Sequence, residues 1–415
     1  MITKEYVAKI EGHGVLHIDW QKNKAKLEVI EGERLFEGML VNRTAEEAHW
    51  ITPRICGICP VAHNMASVKA TEEALGIIPN QTTVFLRELL MAGQMIQSHV
   101  LHLFFLVLPD YVGLDRGTEL VKKDPVAFEM ALSLKELSDE IVSLVGGRSV
   151  HPVTTTMGGF HKIPSKQSLE KIFEKIKKTE TAAQKTFEIF SALNYPELKV
   201  EIDLIAQKQN DILTISSVLA GTSKIKKSSI KNYKKDFEEE IKEYSTAKFA
   251  KYKGREILTG SLARLALNSE NYTETVGKEN IDKIDFANPF FNNFAQAAEV
   301  LHFHKKSKNI IEKLLKTKLD PTILKAKNNP KMKGIGAVEA PRGGLYHEFY
   351  LKKDGAENFI TYANIITPTV QNLTSIEKSS QILFNQTKNR SQKERQRLIK
   401  MLIRAYDPCI TCAVH

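Results

Sequence analysis

Residues 54–63 read R-I-C-G-I-C-P-V-A-H, and residues 407–415 read D-P-C-I-T-C-A-V-H. Each segment holds two cysteines separated by two residues, and these four are all the cysteines of the 415-residue chain. Two intervening residues allow both sulfurs of a pair to face one ion. The pattern therefore predicts a four-thiolate metal site whose ligands come from opposite ends of the chain: Cys56, Cys59, Cys409 and Cys412.

Spacing alone leaves several kinds of site open. Structural zinc is the usual meaning of two C-x-x-C pairs, a mononuclear iron–thiolate site is the next choice, and a thioredoxin-like motif would use only one pair. Zinc ribbons, however, bring their pairs together over roughly 15–20 residues, whereas residue numbers 59 and 409 bracket nearly this whole chain. His63 and His415 follow the two pairs closely, and a closed four-cysteine zinc site would not require them.

Composition excludes some classes of function. The net charge is +10, but the lysines are spread through helical-looking segments without interleaved aromatic residues, so nucleic-acid binding is not predicted. The first residues lack an apolar signal segment, and the longest apolar run, residues 100–109, is too short to span a bilayer. Four cysteines, all in C-x-x-C pairs, do not indicate a disulfide framework. We therefore expect a cytoplasmic protein without a membrane span.

Hydrophobic periodicity indicates a mainly α protein with small β pieces (α+β), in which long helices form a bundle core. Short strands are predicted at residues 6–10, 14–20 and 25–31, a short helix at 44–50, and further strands within 339–366. Residues 196–287 are predicted to be a peripheral excursion from a single domain of residues 1–415. The long helices are predicted at residues 60–75, 82–108, 125–145, 165–193, 288–318 and 392–406.

The two cysteine segments resemble the signature pair of nickel–iron hydrogenase large subunits, R-x-C-G-x-C-x-x-x-H near the N-terminus and D-P-C-x-x-C-x-x-H at the C-terminus. Shorter matches occur along most of the chain, at residues 10–13 (I-E-G-H), 34–37 (R-L-F-E), 146–152 (G-G-R…H-P) and 340–343 (A-P-R-G). The resemblance implies the long-helix bundle of that family and reversible oxidation of dihydrogen. It also implies a Ni-Fe(CO)(CN)2 centre.

By this resemblance the four cysteines bind nickel, and Cys59 and Cys412 also bridge to the iron. Glu11 matches a glutamate that passes protons outward, although a surface glutamate in a turn is the alternative. Arg342 matches an arginine suspended over the metals. Asp110 and Asp407 match carboxylates that orient this arginine, and Thr369 matches a hydroxyl donor to a cyanide ligand. Pro341 is implied as a neighbour of the centre. Asp407 could instead form an Asp-Pro turn, and Asp110 could simply end a helix.

The resemblance implies a second metal site and a cysteine neighbour. Glu37, the backbone carbonyl of Ile365 and His415 match the ligands of a magnesium or similar ion, and His63 matches a hydrogen-bond donor to a cysteine sulfur. One departure is Leu35, where many family members have glycine.

The implied partners are an iron–sulfur small subunit, flavin or iron–sulfur subunits of diaphorase type, and transiently a maturation protease. Electrons would pass to NAD(P), a deazaflavin or ferredoxin. Alternatives are a hydrogen-sensing regulatory member and a zinc-stabilised interaction protein without activity. The respiratory Complex I protein of the same fold lacks the metal-binding cysteines, which this chain keeps.

Overall fold

Seven long helices dominate the computed structural model, which describes residues 2–208, 211–326 and 330–415. About 51% of the chain is helical and 20% is in strands, which confirms the α+β class with helices predominating. The long helices are α1 (Pro60–Leu75), α2 (Gln81–Leu101), α3 (Pro125–Gly146), α4 (Lys166–Ser191), α5 (Asn292–Lys316), α6 (Pro368–Gln386) and α7 (Gln392–Ala405). All but α6 were predicted from the sequence.

Local sequence explains where the helices near the first cysteine pair begin and end. Helix α1 begins at Pro60, whose fixed φ suits a first helical turn, and ends at Gly76, which has φ 66°. Helix α2 is capped by the Asn80 side chain, which accepts the Thr83 N–H at 2.8 Å. It continues through a π-helical turn, His102–Val107, into the helix Leu108–Val112.

The continuous helical stretch Gln81–Val112 is long and apolar enough to cross a membrane, judged by length and composition alone. However, 78% of its most apolar window is buried inside the protein. Helix α2 packs against α3 and α5, and α4 packs against both α3 and α5. The stretch is therefore a core helix, and it contains the long helix predicted at residues 82–108.

Two antiparallel three-stranded sheets flank the bundle. The first contains Ile2–Tyr6, Gly14–Asp19 and Lys24–Val29, so the predicted strands at 14–20 and 25–31 are confirmed. The predicted strand at 6–10 is wrong, because pairing with Gly14–Asp19 ends at Tyr6 and the backbone turns at Lys9, with φ 62°. The second sheet contains Lys333–Ala340, Gly343–Asp354 and Glu357–Ile366. The last two strands lie within the predicted range 339–366, whereas most of the first lies before that range and was not predicted.

Segment 196–287 contains a four-stranded sheet and a two-stranded one. Leu204, Phe249 and Leu258 from these strands belong to the same buried cluster as the long helices. The peripheral position of the segment and the single-domain organisation stay predictions. The strands, in sheet order, are Ile257–Thr259, Asp203–Lys208, Asp211–Leu219 and Lys226–Ser229, with Phe249–Tyr252 paired to Phe237–Glu240.

Shorter elements connect these parts. The predicted helix at 44–50 is a shorter one, Ala48–Ile51. A strand pair joins Thr155–Thr156 to Gly159–Phe160. The other short helical segments are Phe36–Leu40, Thr52–Ile55, Gly117–Glu119, Leu120–Lys123, Ile230–Asn232, Tyr233–Asp236, Ser261–Leu267, Ser269–Val276, Lys278–Ile281, Pro289–Phe291 and Ile410–Ala413.

The strand Lys333–Ala340 packs directly on the backbone of α1. A Cβ atom on Gly336 would lie 1.8 Å from the Ala66 carbonyl oxygen, and one on Gly334 would lie 2.0 Å from that of Ala70. Real Cβ atoms do not approach backbone so closely, so both positions require glycine for this packing. The contact matters for function because α1 begins immediately after Cys59.

We predict that Gly336→Ala forces the strand away from α1 and lowers the free energy of unfolding by about 3 kcal/mol or more, the upper range for overpacking. Chemical denaturation of the purified chain measures this change. Gly32→Ala is the matched control, because a Cβ there meets nothing within 4 Å. Equal stability of the two variants would contradict the tight backbone contact.

Candidate metal centre

The four cysteine sulfurs lie together in the protein interior. Cys56 Sγ is 3.2 Å from Cys409 Sγ, and Cys59 Sγ is 3.3 Å from Cys412 Sγ, although the members of each pair are 353 residues apart in sequence. All four sulfurs lie within 4.8 Å of one another, and all four residues are buried. Their cysteines are free, without disulfide bonds. This geometry is that of a four-thiolate site for one metal centre.

Local backbone geometry directs the first pair of sulfurs. The residues between the two cysteines form a tight turn, so the backbone N–H groups of Ile58 and Cys59 both donate to Cys56 Sγ at 3.3 Å. Cys59 itself immediately precedes α1. Backbone donors and a helix N-terminus both favour a negatively charged sulfur, so the turn suits thiolate ligands.

The four buried sulfurs can all be thiolates only if a cation compensates their charge. Burial raises the pKa of the Cys409 and Cys412 thiols well above the ordinary value. Four thiolates in one buried cluster would repel one another unless a positive ion compensated them. Soft thiolates suit nickel and iron among other metals. The residues present therefore fit a thiolate-bound, redox-active metal centre.

Arg34 ties the two cysteine segments together. Its guanidinium donates to the Ile55 carbonyl oxygen at 2.7 Å and also to that of Thr411, and its backbone N–H donates to the Val414 carbonyl at 3.0 Å. One side chain thus contacts both ligand segments. The sequence analysis gave Arg34 no role of its own. Its place in the matching motif at residues 34–37, three residues before Glu37, was the one feature that could have pointed to these contacts.

The departure at Leu35 has a conformational explanation. Leu35 adopts φ 54° and ψ 39°, the left-handed region that glycine occupies without steric cost. Its side chain points to solvent and is 65% exposed, so leucine meets no obstacle there. The turn nevertheless keeps Glu37 at the start of the helix Phe36–Leu40.

Glu11 lies directly against the metal site. Its carboxylate oxygen Oε2 is 3.0 Å from Cys409 Sγ and accepts the Thr411 N–H at 3.1 Å, while its backbone carbonyl accepts the Ile410 N–H at 3.0 Å. Burial raises the pKa of Glu11, and the nearby Cys56 adds to the rise. Gly12, with φ 80°, allows this approach, since a Cβ there would lie 2.7 Å from Ile410 Cβ.

Arg342 is buried beside the cysteines and held by Asp407. Its Nε donates to the Asp407 carbonyl at 2.7 Å, its Nη2 to Asp407 Oδ1 at 2.7 Å, and its Nη1 to Ser98 Oγ at 3.3 Å. Burial opposes the charge, but Asp407, Cys409 and Cys59 outweigh it and raise the pKa of Arg342. A fixed positive charge therefore faces the sulfurs.

The backbone before Arg342 is anchored by a second buried arginine. Arg264 donates to the carbonyl oxygens of Ala340 and Pro341, both at 2.8 Å. Glu299 on α5 compensates its charge through bonds of 2.6 and 2.7 Å. Pro341 therefore contributes a fixed carbonyl and a rigid backbone next to Arg342.

The described hydrogen bonds of Asp110 go to residues other than Arg342. Its carboxylate accepts from Lys9 Nζ at 2.6 Å and Arg404 Nε at 2.5 Å. The described hydrogen bonds of Arg342 go to Asp407 and Ser98, and none goes to Asp110. Asp110 thus bonds the last turn of α7, three residues before Asp407, instead of orienting Arg342 directly.

Thr369 stands at the start of α6 with its side chain buried. Its Oγ1 accepts the Cys409 backbone N–H at 3.0 Å. A hydroxyl also carries one proton to donate, and this one lies beside a metal-ligand residue. The position suits a donor to a ligand of the metal centre.

The residues expected to bind magnesium lie together. His415 Nε2 is 2.9 Å from the Ile365 carbonyl oxygen, and Glu37 Oε1 accepts the Ile365 N–H at 2.6 Å and the Asn364 side-chain N–H at 3.2 Å. His415 Nδ1 also lies 2.8 Å from the Cys412 carbonyl oxygen. The structure thus brings an imidazole, a carbonyl and a carboxylate to one place next to the Cys412 backbone.

His63 begins a chain of buried polar groups that the sequence did not reveal. His63 Nε2 is 3.7 Å from Cys412 Sγ, and its Nδ1 is 3.2 Å from His347 Nε2. His347 Nδ1 is 3.0 Å from Ser67 Oγ, which is 2.7 Å from Thr52 Oγ1. Burial lowers the pKa of His63 to about 3 and that of His347 well below its usual range, so both rings are neutral.

A family model described as nickel-dependent hydrogenase matches residues 34–131 and 216–415, more than half of the chain. The match covers all four cysteines and Arg342. Together with the geometry of the sulfurs, it decides against structural zinc and in favour of a nickel-dependent centre.

Two curated relatives match the whole chain. The alpha chain of sulfhydrogenase 1 from Pyrococcus furiosus is 34% identical over 100% of this chain and 97% of its own length. An F420-non-reducing hydrogenase chain from Methanothermobacter marburgensis is 30% identical over 100% of this chain and 94% of its own length. The solved NAD+-reducing [NiFe]-hydrogenase in its H2-reduced state shares the fold, with a TM-score of 0.81, 21% identity and coverage of 100% and 99%. The chain thus belongs to the nickel-dependent hydrogenases, as a catalytic large subunit.

Proposed function

We propose that the chain oxidises dihydrogen reversibly, to two protons and two electrons, at a Ni-Fe(CO)(CN)2 centre held by the four cysteines. The observation that carries this proposal is the buried four-sulfur cluster flanked by a permanently charged Arg342 and a buried Glu11 carboxyl. When bound, the centre would supply an open coordination position and the redox change needed to cleave dihydrogen. Cys59 and Cys412 are the proposed bridging ligands.

Glu11 is the proposed proton carrier. Its Oε2 lies 3.0 Å from Cys409 Sγ. A metal-bound thiolate carries no proton, so a hydrogen bond over this distance requires the proton to be on Glu11. With the metal bound, the carboxyl would hold a proton beside a ligand sulfur and could pass it to the exterior, leaving a carboxylate.

Arg342 supplies a fixed positive charge and N–H donors. A guanidinium keeps its charge and directs several N–H donors from one plane. With Asp407 occupying Nε and Nη2, the remaining donors of Arg342 can polarise the substrate and bond a cyanide. Thr369, whose oxygen already accepts the Cys409 N–H, is the proposed hydroxyl donor to the other cyanide. Pro341 lines the same side.

A magnesium or similar divalent ion is proposed between Glu37, the Ile365 carbonyl and His415. Adjacent ligands of an octahedral ion with bonds of about 2.1 Å lie about 3.0 Å apart. The 2.9 Å between His415 Nε2 and the Ile365 oxygen matches that separation. The Cys412 carbonyl also contacts His415, so the ion would stabilise the segment that carries the last two cysteines.

The electrons need a partner protein. All four cysteines of the chain are in the proposed centre, so no thiolate is left to hold an electron-transfer cluster. Hydrogenase large subunits pair with small subunits, and we propose that an iron–sulfur small subunit receives the electrons here. Diaphorase-type subunits would pass them to NAD(P), a deazaflavin or ferredoxin. A maturation protease acting after nickel insertion is part of the same proposal.

We further propose that the protein works in the cytoplasm. The four buried cysteines are free, and a thiolate centre assembles only from reduced thiols, which a reducing compartment maintains. The apolar stretch Gln81–Val112 is mostly buried in the core and so is already in contact with protein rather than lipid.

Cys412→Ser should abolish nickel retention and activity, because a hydroxyl deprotonates far less readily than a thiol and its oxygen is a harder ligand than sulfur. Metal analysis of the purified protein measures nickel per chain. The matched control is Thr411→Val, in the same segment, whose hydroxyl has no partner among the described residues. Full nickel content in Cys412→Ser would contradict the proposed ligand set, and zinc without nickel in the native protein would contradict the centre itself.

Glu11→Gln should leave the metals bound while slowing dihydrogen–water isotope exchange by roughly 10²–10⁴-fold, since the amide keeps the shape but carries no transferable proton. Mass spectrometry of the evolved gas follows the exchange. Glu31→Gln serves as control, because Glu31 lies next to Gly12 and bonds His13 instead of a cysteine. Unchanged exchange in Glu11→Gln would remove Glu11 from the proton path.

Glu37→Gln should lower the magnesium content of the purified protein more than the nickel content, because the amide binds Mg²⁺ more weakly than a carboxylate. Elemental analysis reports both metals from one sample. Glu33→Gln, an exposed glutamate four residues earlier, is the control. A magnesium content equal to that of the control would refute Glu37 as a ligand.

A further inference from the structure

The polar chain behind Cys412 has one consistent arrangement of protons when that sulfur binds metal. Its four groups, His63, His347, Ser67 and Thr52, are all fully buried, with 0% exposure. Water therefore cannot complete their hydrogen bonds, and each donor has to find its acceptor within the protein. Each neutral group has one proton to donate, which fixes the direction of the whole chain once one end is fixed.

The Cys412 end fixes that direction. A metal-bound thiolate can only accept, so His63 Nε2 has to carry the proton that faces Cys412 Sγ over 3.7 Å. His63 Nδ1 then has a lone pair and accepts from His347 Nε2 at 3.2 Å. His347 Nδ1 in turn accepts from the Ser67 hydroxyl at 3.0 Å.

The other end allows the same direction. With the Ser67 proton directed to His347, Ser67 Oγ accepts from the Thr52 hydroxyl at 2.7 Å. Thr52 Oγ1 also lies 3.0 Å from the Ala48 carbonyl and 3.2 Å from that of His63. The first carbonyl already accepts the Thr52 backbone N–H, and the second lies within helix α1. Neither carbonyl therefore depends on the Thr52 proton, which is free to point to Ser67.

The reverse direction suits a metal-free site only. A Cys412 thiol could donate to His63 Nε2, and every proton in the chain would then point away from the sulfur toward Thr52. A thiolate facing a bare ring nitrogen would instead set two acceptors against each other. The state of one sulfur and the tautomers of two histidines are thus linked.

We propose that His347 and Ser67 are positioning residues that hold His63 as the Nε2–H tautomer, so that it donates a hydrogen bond to the Cys412 thiolate. The inference rests on the proposed function insofar as Cys412 is a metal ligand. A hydrogen bond to a ligating sulfur orients that ligand and reduces its electron donation to the metal. Neither residue touches the metal site itself; both act through His63.

The first test reads the tautomer. The full chain is labelled with ¹⁵N-histidine and loaded with Zn²⁺, a diamagnetic ion that thiolates also bind, and the imidazole nitrogens are followed by NMR. The signals of His63 are assigned with His63→Gln. We expect Nε2 protonated and Nδ1 bare in the loaded chain. A bare Nε2, or two protonated nitrogens, would overturn the proposal.

The second test uses variants of the holoenzyme and the infrared bands of its diatomic ligands. Ser67→Ala removes the donor to His347, and His347→Leu removes the donor to His63. Either change holds the Nε2–H tautomer of His63 less firmly and should weaken its hydrogen bond to Cys412. Cys412 would then donate more charge to iron, and the carbonyl band should shift to lower wavenumber. His347→Gln keeps an N–H donor for His63 and should restore a near-native band.

Thr71→Val is the matched control, because Thr71 is a buried residue on the same helix whose hydroxyl, among the described residues, bonds the backbone carbonyls of Ser67 and Val68 and no side chain. Its band should stay native. Equal bands in Ser67→Ala and Thr71→Val would overturn the proposal even if His347→Leu failed to fold. Nickel content and the presence of the bands in the native protein test the proposed function separately.

Discussion

The structure depends on bringing four sulfurs to within 4.8 Å of one another from segments 353 residues apart. Such a contact orders almost the whole chain as one loop, so the surrounding core has to supply the free energy that closes it. Burial raises the pKa of the Cys409 and Cys412 thiols. A bound cation is therefore needed to stabilise these two residues as thiolates. Metal binding and the final closure of the chain ends are coupled in this way.

The two ends are held together by backbone as much as by side chains. Arg34 bonds carbonyls of both ligand segments, and the Glu11 backbone pairs with the residues around Cys409. On the other side, α1 is seated against the strand Lys333–Ala340 through glycines, which places His347 on the next strand opposite His63. Protein packing therefore helps to set the ligand positions, beside the metal itself.

The sequence predicted those parts whose cause is local. The predicted bounds of helix α1 agree with the structure because Pro60 and Gly76 mark its ends. The spacing of the cysteines was enough to predict a shared metal site. Helix α6 was missed, since its polar residues are buried by tertiary contacts rather than arranged on an exposed face. His347 contacts His63 and Ser67 from 284 and 280 positions away in sequence, and Arg34 contacts Thr411 from the other end of the chain. No spacing rule marks such pairs. For Asp110 the resemblance named Arg342 as a partner, whereas its described hydrogen bonds go to Lys9 and Arg404.

The buried ion pairs around Arg342 serve to position side chains and backbone carbonyls more than to stabilise the fold. Arg342, Asp407, Arg264 and Glu299 are all nearly inaccessible to water, and removing each ion from water costs several kcal/mol before any pairing. Apolar residues of similar volume would serve the core equally well or better. What the paired ions provide is direction: Arg264 fixes the carbonyls of Ala340 and Pro341, and Asp407 fixes two edges of the Arg342 guanidinium. A charge that faces a reacting metal centre has to be immobile, because reorientation during reaction would forfeit its electrostatic benefit.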